Sequence, residues 1–442
     1  MKHRLLMSAW LAGFSSIVVL SLPGQAWSAE TVIVTAPGSA PAPIAAAQND
    51  PTTAPGLLPT AIARALLDQS PSVQAARAEL DAARQEALQL GQSPHEWTVK
   101  LLGLRRTIDD AKASNEWNAG IERAWRLPAK ATADRKLGEA TIELAQARHG
   151  EALHEAAREL LGRWLTWTAA EQARELASQN TKAALVSAEA VDKRVKAGDA
   201  SRLDLGLARG DWLEQQRQEV QARTQARIAW SHLRTRFPGV ARQTATLPDP
   251  PILPKDHTAW TERILAQSDE LKIAETVAAR AQAHAEQAQA NQTPDPTFGV
   301  FHGSEARGHE RITGLSVTLP LSGEQRSRQV ARSLSQAEAA RLNADVARQT
   351  LLAEIRAAFD QTEGTRESWR LAQENAAAMA DNARLVQRAY SLGETDLQTL
   401  LLSRRQATQA DQAALEAQVD AVRAYETLRV DAHWVWDLDH ED

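Results

Sequence analysis

The sequence predicts a mainly α-helical chain with a small β part, in which long helical hairpins continue from four short strands. Three observations predict it. Two Ala/Gln/Arg/Glu-rich tracts of about 65 residues each run to a single glycine, at Gly198 and Gly393, and restart at once. Four segments of about ten residues alternate between apolar and polar side chains. The order of these features is the same in the two halves of the chain.

The elements read in order from the N-terminus. Residues 1–29 have the grammar of a secretory signal peptide, with Lys2 and Arg4, an apolar run from Leu5 to Leu22, and cleavage expected after Ala26, Ser28 or Ala29. Residues 30–56 are Ala/Pro-rich without periodicity, a flexible lead-in. A first repeat is expected over 57–237, with helices, a strand pair at about 96–127, and a helical hairpin whose tip lies at about 195–202. A Pro-rich linker, 238–257, separates it from a second repeat over 258–442, with strands at about 296–320 and a tip at about 390–396. The halves share landmarks: "ALLDQSPSV" and "RILAQSDEL" set Ser70 against Ser268, and Leu127-Pro128 corresponds to Leu319-Pro320.

A helix of about 65 residues spans on the order of 100 Å at 1.5 Å per residue. No compact domain of this size has that diameter, so the tracts belong to a bundle, a coiled coil or a repeat array. Glycine ends each tract because it tolerates positive φ. Ser201 and Asp396 are placed to cap the returning helices.

The strands argue against a plain coiled-coil rod. Trp97, Val99 and Leu101 share one face; so do Trp117, Ile121 and Trp125, and Leu315 with Val317. "PTFGVFHG" alternates more weakly. Such strands suit a transmembrane β-barrel, apolar towards lipid and polar towards water. Four strands cannot close a barrel, and open edges in hydrocarbon leave backbone groups unsatisfied. Several copies must therefore share one barrel. Three would supply twelve strands, although the strands themselves only forbid one copy.

Composition narrows the chemistry. The chain has 442 residues, 43% hydrophobic and 24% charged, with a net charge of -6, which points away from nucleic acid. It has no cysteine, so disulfides and thiolate chemistry are excluded. No phosphate loop, nucleophile elbow or HExxH is present, and neither an enzyme, a cofactor nor a bound metal is expected. The histidines are scattered. His149 and His154 read as solvated helix residues, and His302, His309, His433 and His440 as loop or tail positions. Trp434 and Trp436 are expected at a helix end or a membrane interface.

The tip sequences "RVKAGDASRLDL" and "RAYSLGETDLQTLLLSRRQ", with the duplicated plan and the "LP" before each long helix, resemble the TolC family of outer-membrane efflux proteins. The resemblance covers about Leu57 to Trp436. It implies a homotrimer, a periplasmic α-helical barrel continuous with a 12-stranded β-barrel in outer-membrane lipid, and most of the chain in the periplasm. It also implies docking of the tips (Gly198, Asp199, Ser201, Gly393, Glu394, Asp396) onto a periplasmic adaptor of a pump. The C-terminal run from Leu400 is similar to the CzcC-type branch, which implies an inner-membrane partner of the resistance–nodulation–division (RND) class and heavy-metal cations as cargo. Drug efflux and type I protein secretion remain open within the family, and a periplasmic coiled-coil adaptor or scaffold outside it. An adaptor should show one hairpin and a β-rich remainder; this chain has two hairpins and little β. One departure concerns acids just past the second tip glycine, where Thr399 and Leu402 stand. An acidic ring would have to come from Asp199, Asp204, Glu394 or Asp396, and Arg194, Lys196 and Arg202 are candidates to pair with those acids and hold the tip closed.

Overall fold

The computed structural model describes residues 56–107, 113–243, 246–321 and 323–438. The signal-peptide reading, nearly all of the lead-in, His440 and the last acids lie outside these residues. The chain divides into two units, 1–40 and 41–442, and everything described belongs to the second.

Eight α-helices and four strands are described, with one 3-10 turn (Ala306–Gly308) between the last two strands, in the order α1 (Thr60–Asp68), α2 (Pro71–Gly91), β1 (Thr98–Arg106), β2 (Ser114–Ala124), α3 (Pro128–Lys196), α4 (Arg202–Arg236), α5 (Thr258–Gln267), α6 (Asp269–Ala290), β3 (Thr297–Glu305), β4 (Glu310–Thr318), α7 (Glu324–Leu392) and α8 (Leu397–Asp431). The same sequence of two helices, two strands and a long hairpin therefore occurs twice. α3 and α7 have 69 residues each, about 100 Å of helix. Among the described residues no helix is long and apolar enough to cross a membrane.

Small residues bring the helices together. Gly138 of α3 lies so close to α2 that an added Cβ would stand 3.1 Å from the Ala87 backbone. Alanines such as Ala140, Ala145, Ala157 and Ala188 are buried along α3. α3 packs on α2 and α4 and on α6 and α8, and α4 also touches α8; α7 packs mainly on α6 and α8, with short contacts to α5 and, at the tip, Tyr390 against Arg194 of α3. The lateral order is α2–α3–α6–α7 towards the strands and α4–α3–α8–α7 towards the tips. α7 accordingly buries far fewer side chains than α3.

The largest core sits midway along α3. Leu160, Leu161, Trp164 and Leu165 meet Leu58, Leu66 and Leu67 from the N-terminal side, Phe237 at the end of α4, and the C-terminal tail. The indole N–H of Trp164 donates to the Gly56 carbonyl at 2.8 Å, and that of Trp436 to the Leu58 carbonyl at 2.9 Å. Trp434 packs edge-on against Trp260, centroids 4.3 Å apart. Both tail tryptophans thus close a helix end.

Candidate functional site: the strand sheet, the junction and the tips

The four strands form one antiparallel sheet in the order β1-β2-β3-β4, so β1 and β4 are both open edges. The register sets Val99, Ile121, Val300 and Leu315 in one row across the whole sheet. All four are exposed, Leu315 at 81% and Val99 at 65%. Phe298 and Val317 stand in the next row towards the helices. Trp97 and Trp125 flank the strands at the helical end and are 63% exposed. Trp117 lies on the same face towards the other end, its ring edge-on to His302 at 5.8 Å. The eight steps from Trp117 to Trp125 span roughly 27 Å of extended chain, the scale of a hydrocarbon band between aromatic girdles.

The opposite face carries charge. Lys100 pairs with Glu122 at 2.7 Å, and Arg106 bridges Glu116 and Glu305 at 3.0 and 3.3 Å. The Phe301 ring lies over Gly314, where an added Cβ would stand 2.5 Å from it. That ring fills a gap that a side chain at Gly314 would close.

A buried ionic network joins this sheet to the helices. Asp295, just before β3, accepts from His95, Lys130, Arg126 and the Leu127 backbone N–H at 3.0 to 3.2 Å. Arg126 also grips Asp134 of α3 at 2.7 Å, and Gln287 of α6 donates to Asp134 at 2.8 Å. Burial opposes ionisation of Asp295, but the four donors outweigh it and hold its carboxyl at about 2. The network ties the starts of β1 and β3, the end of β2, α3 and α6 into one joint. Its residues carry no local signature, since Arg126 and Asp295 are 169 positions apart.

The tips are built alike. Gly198 has φ +82 and Gly393 φ +76. At the first, the Asp199 N–H reaches the Arg194 carbonyl at 2.8 Å and the Gly198 N–H the Val195 carbonyl at 3.0 Å. At the second, Glu394 bonds to Ala389 at 3.0 Å and Gly393 to Tyr390 at 3.1 Å. Both are Schellman closures, which need a left-handed residue at the glycine. Ser201 and Asp204 form a reciprocal capping box on α4, and Asp396 accepts from the Thr399 N–H at 2.7 Å on α8.

Of the basic tip residues, Arg194 alone joins the two hairpins. Its guanidinium pairs with Asp199 at 3.1 Å, donates to the Tyr390 hydroxyl at 3.0 Å and lies 5.4 Å from the Tyr390 ring centre. Lys196 pairs instead with Asp192 on its own helix at 2.6 Å. Arg202 is exposed and, among the described residues, holds no carboxylate. Asp204 and Asp396 cap their helices, so Asp199 and the exposed Glu394 are the acids left facing outwards. Tyr390 is the partner that the sequence reading did not single out.

His154 departs from its sequence reading. It is buried rather than solvated, because the tail end of α8 folds over it: Asp431 lies 3.2 Å from its Nε2, and the His433 ring centre 5.6 Å from its own. Burial disfavours its charged form, but Asp431 and Glu151 outweigh both burial and the nearby Arg158, raising its pKa from 6.5 to about 9. A raised histidine contributes stability that is complete below pH 6.5 and is lost as pH rises through about 9. The wild-type melting temperature should fall between pH 7 and 10, by an amount corresponding to about 3 kcal/mol per chain. His154→Gln should flatten that part of the profile; an unchanged slope would remove His154 as its source.

The chain thus combines a sheet that has one exposed apolar face and two open edges with helical hairpins about 100 Å long. The profile of the outer membrane efflux protein family matches residues 62–236 and 260–430. The chain belongs to that family. Among solved structures it is similar to CusC, from a study of conformational changes accompanying folding and transmembrane channel formation, with 14% identity, 84% of this chain and 91% of that one covered, and a TM-score of 0.69. It is also similar to the outer membrane protein VceC of Vibrio cholerae (14% identity, 85% and 95% covered, TM-score 0.68) and the MtrE outer membrane channel of Neisseria gonorrhoeae (18% identity, 86% and 89% covered, TM-score 0.67). A search of curated proteins returns no match. The chain is thus an outer-membrane efflux channel of the TolC family, with most of its length in the periplasm, and not an enzyme.

Proposed function

We propose that three copies of this chain close a twelve-stranded barrel and a helical tunnel, and that the assembly is the exit duct of an RND-type tripartite pump exporting heavy-metal cations. The observation that carries the assembly is the pair of open edges, β1 and β4. In hydrocarbon each unsatisfied backbone group costs several kcal/mol, and β4 of one copy pairing with β1 of the next removes both rows at once. The charged face, with Lys100, Glu122 and Arg106, then lines a water-filled path. Transport through such a lining needs no tight binding site.

The tips dock an adaptor through Gly198, Asp199, Ser201, Gly393, Glu394 and Asp396, and Arg194 holds the hairpins together until the adaptor displaces it. The link between the hairpins is the Arg194–Tyr390 hydrogen bond, a side-chain contact worth on the order of 1–2 kcal/mol, weak enough to yield to docking. The cargo rests on the likeness of the stretch from Leu400 to the CzcC-type branch.

Gly393→Pro tests the docking role, because proline cannot take φ +76 and removes the N–H that closes the tip. In cells depending on this duct for resistance to divalent metal cations, the variant should lose resistance while the heat-resistant trimer persists. Unimpaired export would refute the docking role. Wild-type protein that restores drug resistance but not metal resistance would refute the cargo.

A further inference from the structure

The lateral order of helices leaves two helical edges as well as two strand edges: α2 and α4 on one side, α7 on the other. Late in α4 the first of these carries a groove of about 610 Å³, lined by Arg227, Trp230, Ser231 and Arg234, with Arg242 from the following linker. No carboxylate lines it. Arg242 lies 5.1 Å from the Trp230 ring centre and 3.6 Å from Glu171, whereas Arg227 and Arg234 have no acidic partner among the described residues. On α7, a shallow stripe runs along Ala357, Asp360, Gln361, Gly364 and Ser368. Asp360 is its one charged side chain, and among the described residues it has no basic partner.

Position and direction bring these two surfaces to each other. Trp230 lies 32 positions after Gly198 and Gln361 lies 32 positions before Gly393, so both stand about 48 Å from the tips. On α4, Asp211 faces Arg404 and Arg405 of α8. Stepping about 100° per residue puts Arg227, Ser231 and Arg234 roughly on the opposite side, away from the chain's own helices. On α7, Ile355, Phe359 and Thr362 are buried within the chain, and Asp360, Gly364 and Ser368 fall roughly opposite them.

We propose that the basic α4 groove receives the α7 stripe of a second copy of this chain, with Asp360 entering between Arg227 and Arg234. This rests on the ring of copies proposed above and names the contact that keys its helical wall. Each copy offers the groove on one edge and the stripe on the other, so the contact is head-to-tail, the kind that forms a ring when its rotation closes. The small side chains of the stripe allow close approach, and the paired charges fix its level. A slip of one helical turn would leave the guanidinium groups without their carboxylate.

The chain's lack of cysteine makes the test clean. Ser231→Cys is combined in turn with Ala357→Cys, Gln361→Cys, Gly364→Cys or Ser368→Cys and oxidised in isolated outer membranes, and the mass of the uncrosslinked wild type is measured in parallel. At least one pair should give disulfide-linked dimers and trimers, while single-cysteine variants and Ala222→Cys with Gln361→Cys give none. Arg227→Glu with Arg234→Glu should lower the cross-linked yield by about tenfold, the size expected of two lost ion pairs, and Asp360→Arg in the same chain should restore it. A three-copy mass with no cross-link from any of the four pairs would overturn this contact and leave the ring intact. A one-copy mass would overturn both.

Discussion

Leu315→Arg should remove the assembled protein from the outer membrane. Leu315 stands on the open edge strand, in the row shared with Val99, Ile121 and Val300, and is 81% exposed in one copy. In the ring proposed above, lipid and the flanking strand of a neighbour cover it. An arginine at the bilayer midplane of a barrel costs about 2–4 kcal/mol, and in a ring each copy bears that cost again. The heat-resistant assembled species should fall to a small fraction of wild type. Asn118→Arg is the control: Asn118 lies on the opposite face of the sheet, in the row with Gly303, and the variant should assemble. Normal assembly of Leu315→Arg would mean that this face does not meet lipid.

The second large effect lies at the junction. Asp295→Ala removes the carboxylate that Lys130 and Arg126 share. The Lys130 side chain is only 4% exposed, so its ammonium would remain buried without a counter-ion. Breaking a buried ion pair in this way costs about 3–5 kcal/mol. Arg126 keeps Asp134 at 2.7 Å, so the damage centres on Lys130. The temperature at which the assembled species dissociates should drop sharply. Asp295→Ala combined with Lys130→Met should recover most of it, because replacing both charges leaves nothing uncompensated. A double variant as unstable as the single one would show that Asp295 acts through its other donors, His95 and the Leu127 N–H.

Sequence reading reached these features unequally, for physical reasons. The helices and their tips were legible because their causes are local. A left-handed glycine, a cap at Ser201 or Asp396 and a long Ala-rich period each act within one turn of chain. The exposed apolar rows of β1, β2 and β4 were legible because successive strand side chains alternate between two faces, a period of two. β3 was fainter because its inward face carries Phe301, which fills the space over Gly314 and blurs the alternation. Leu102, Leu104 and Ile312 blur it elsewhere. Asp295 with Arg126, Arg194 with Tyr390 and His154 with Asp431 were not legible as pairs. Their partners are 169, 196 and 277 positions apart, and only the packing of the two halves brings them together. His154 looked like a solvated helix residue because nothing in its own helix shows that the end of α8 covers it.

The mass of the wild-type protein extracted in mild detergent, measured with the detergent contribution separated, tests most directly that copies must pool their strands. Three chains per particle is the predicted result. A stable, folded single chain that stays soluble once detergent is removed would contradict it, since nothing would then satisfy the open edges of β1 and β4 or cover the apolar face.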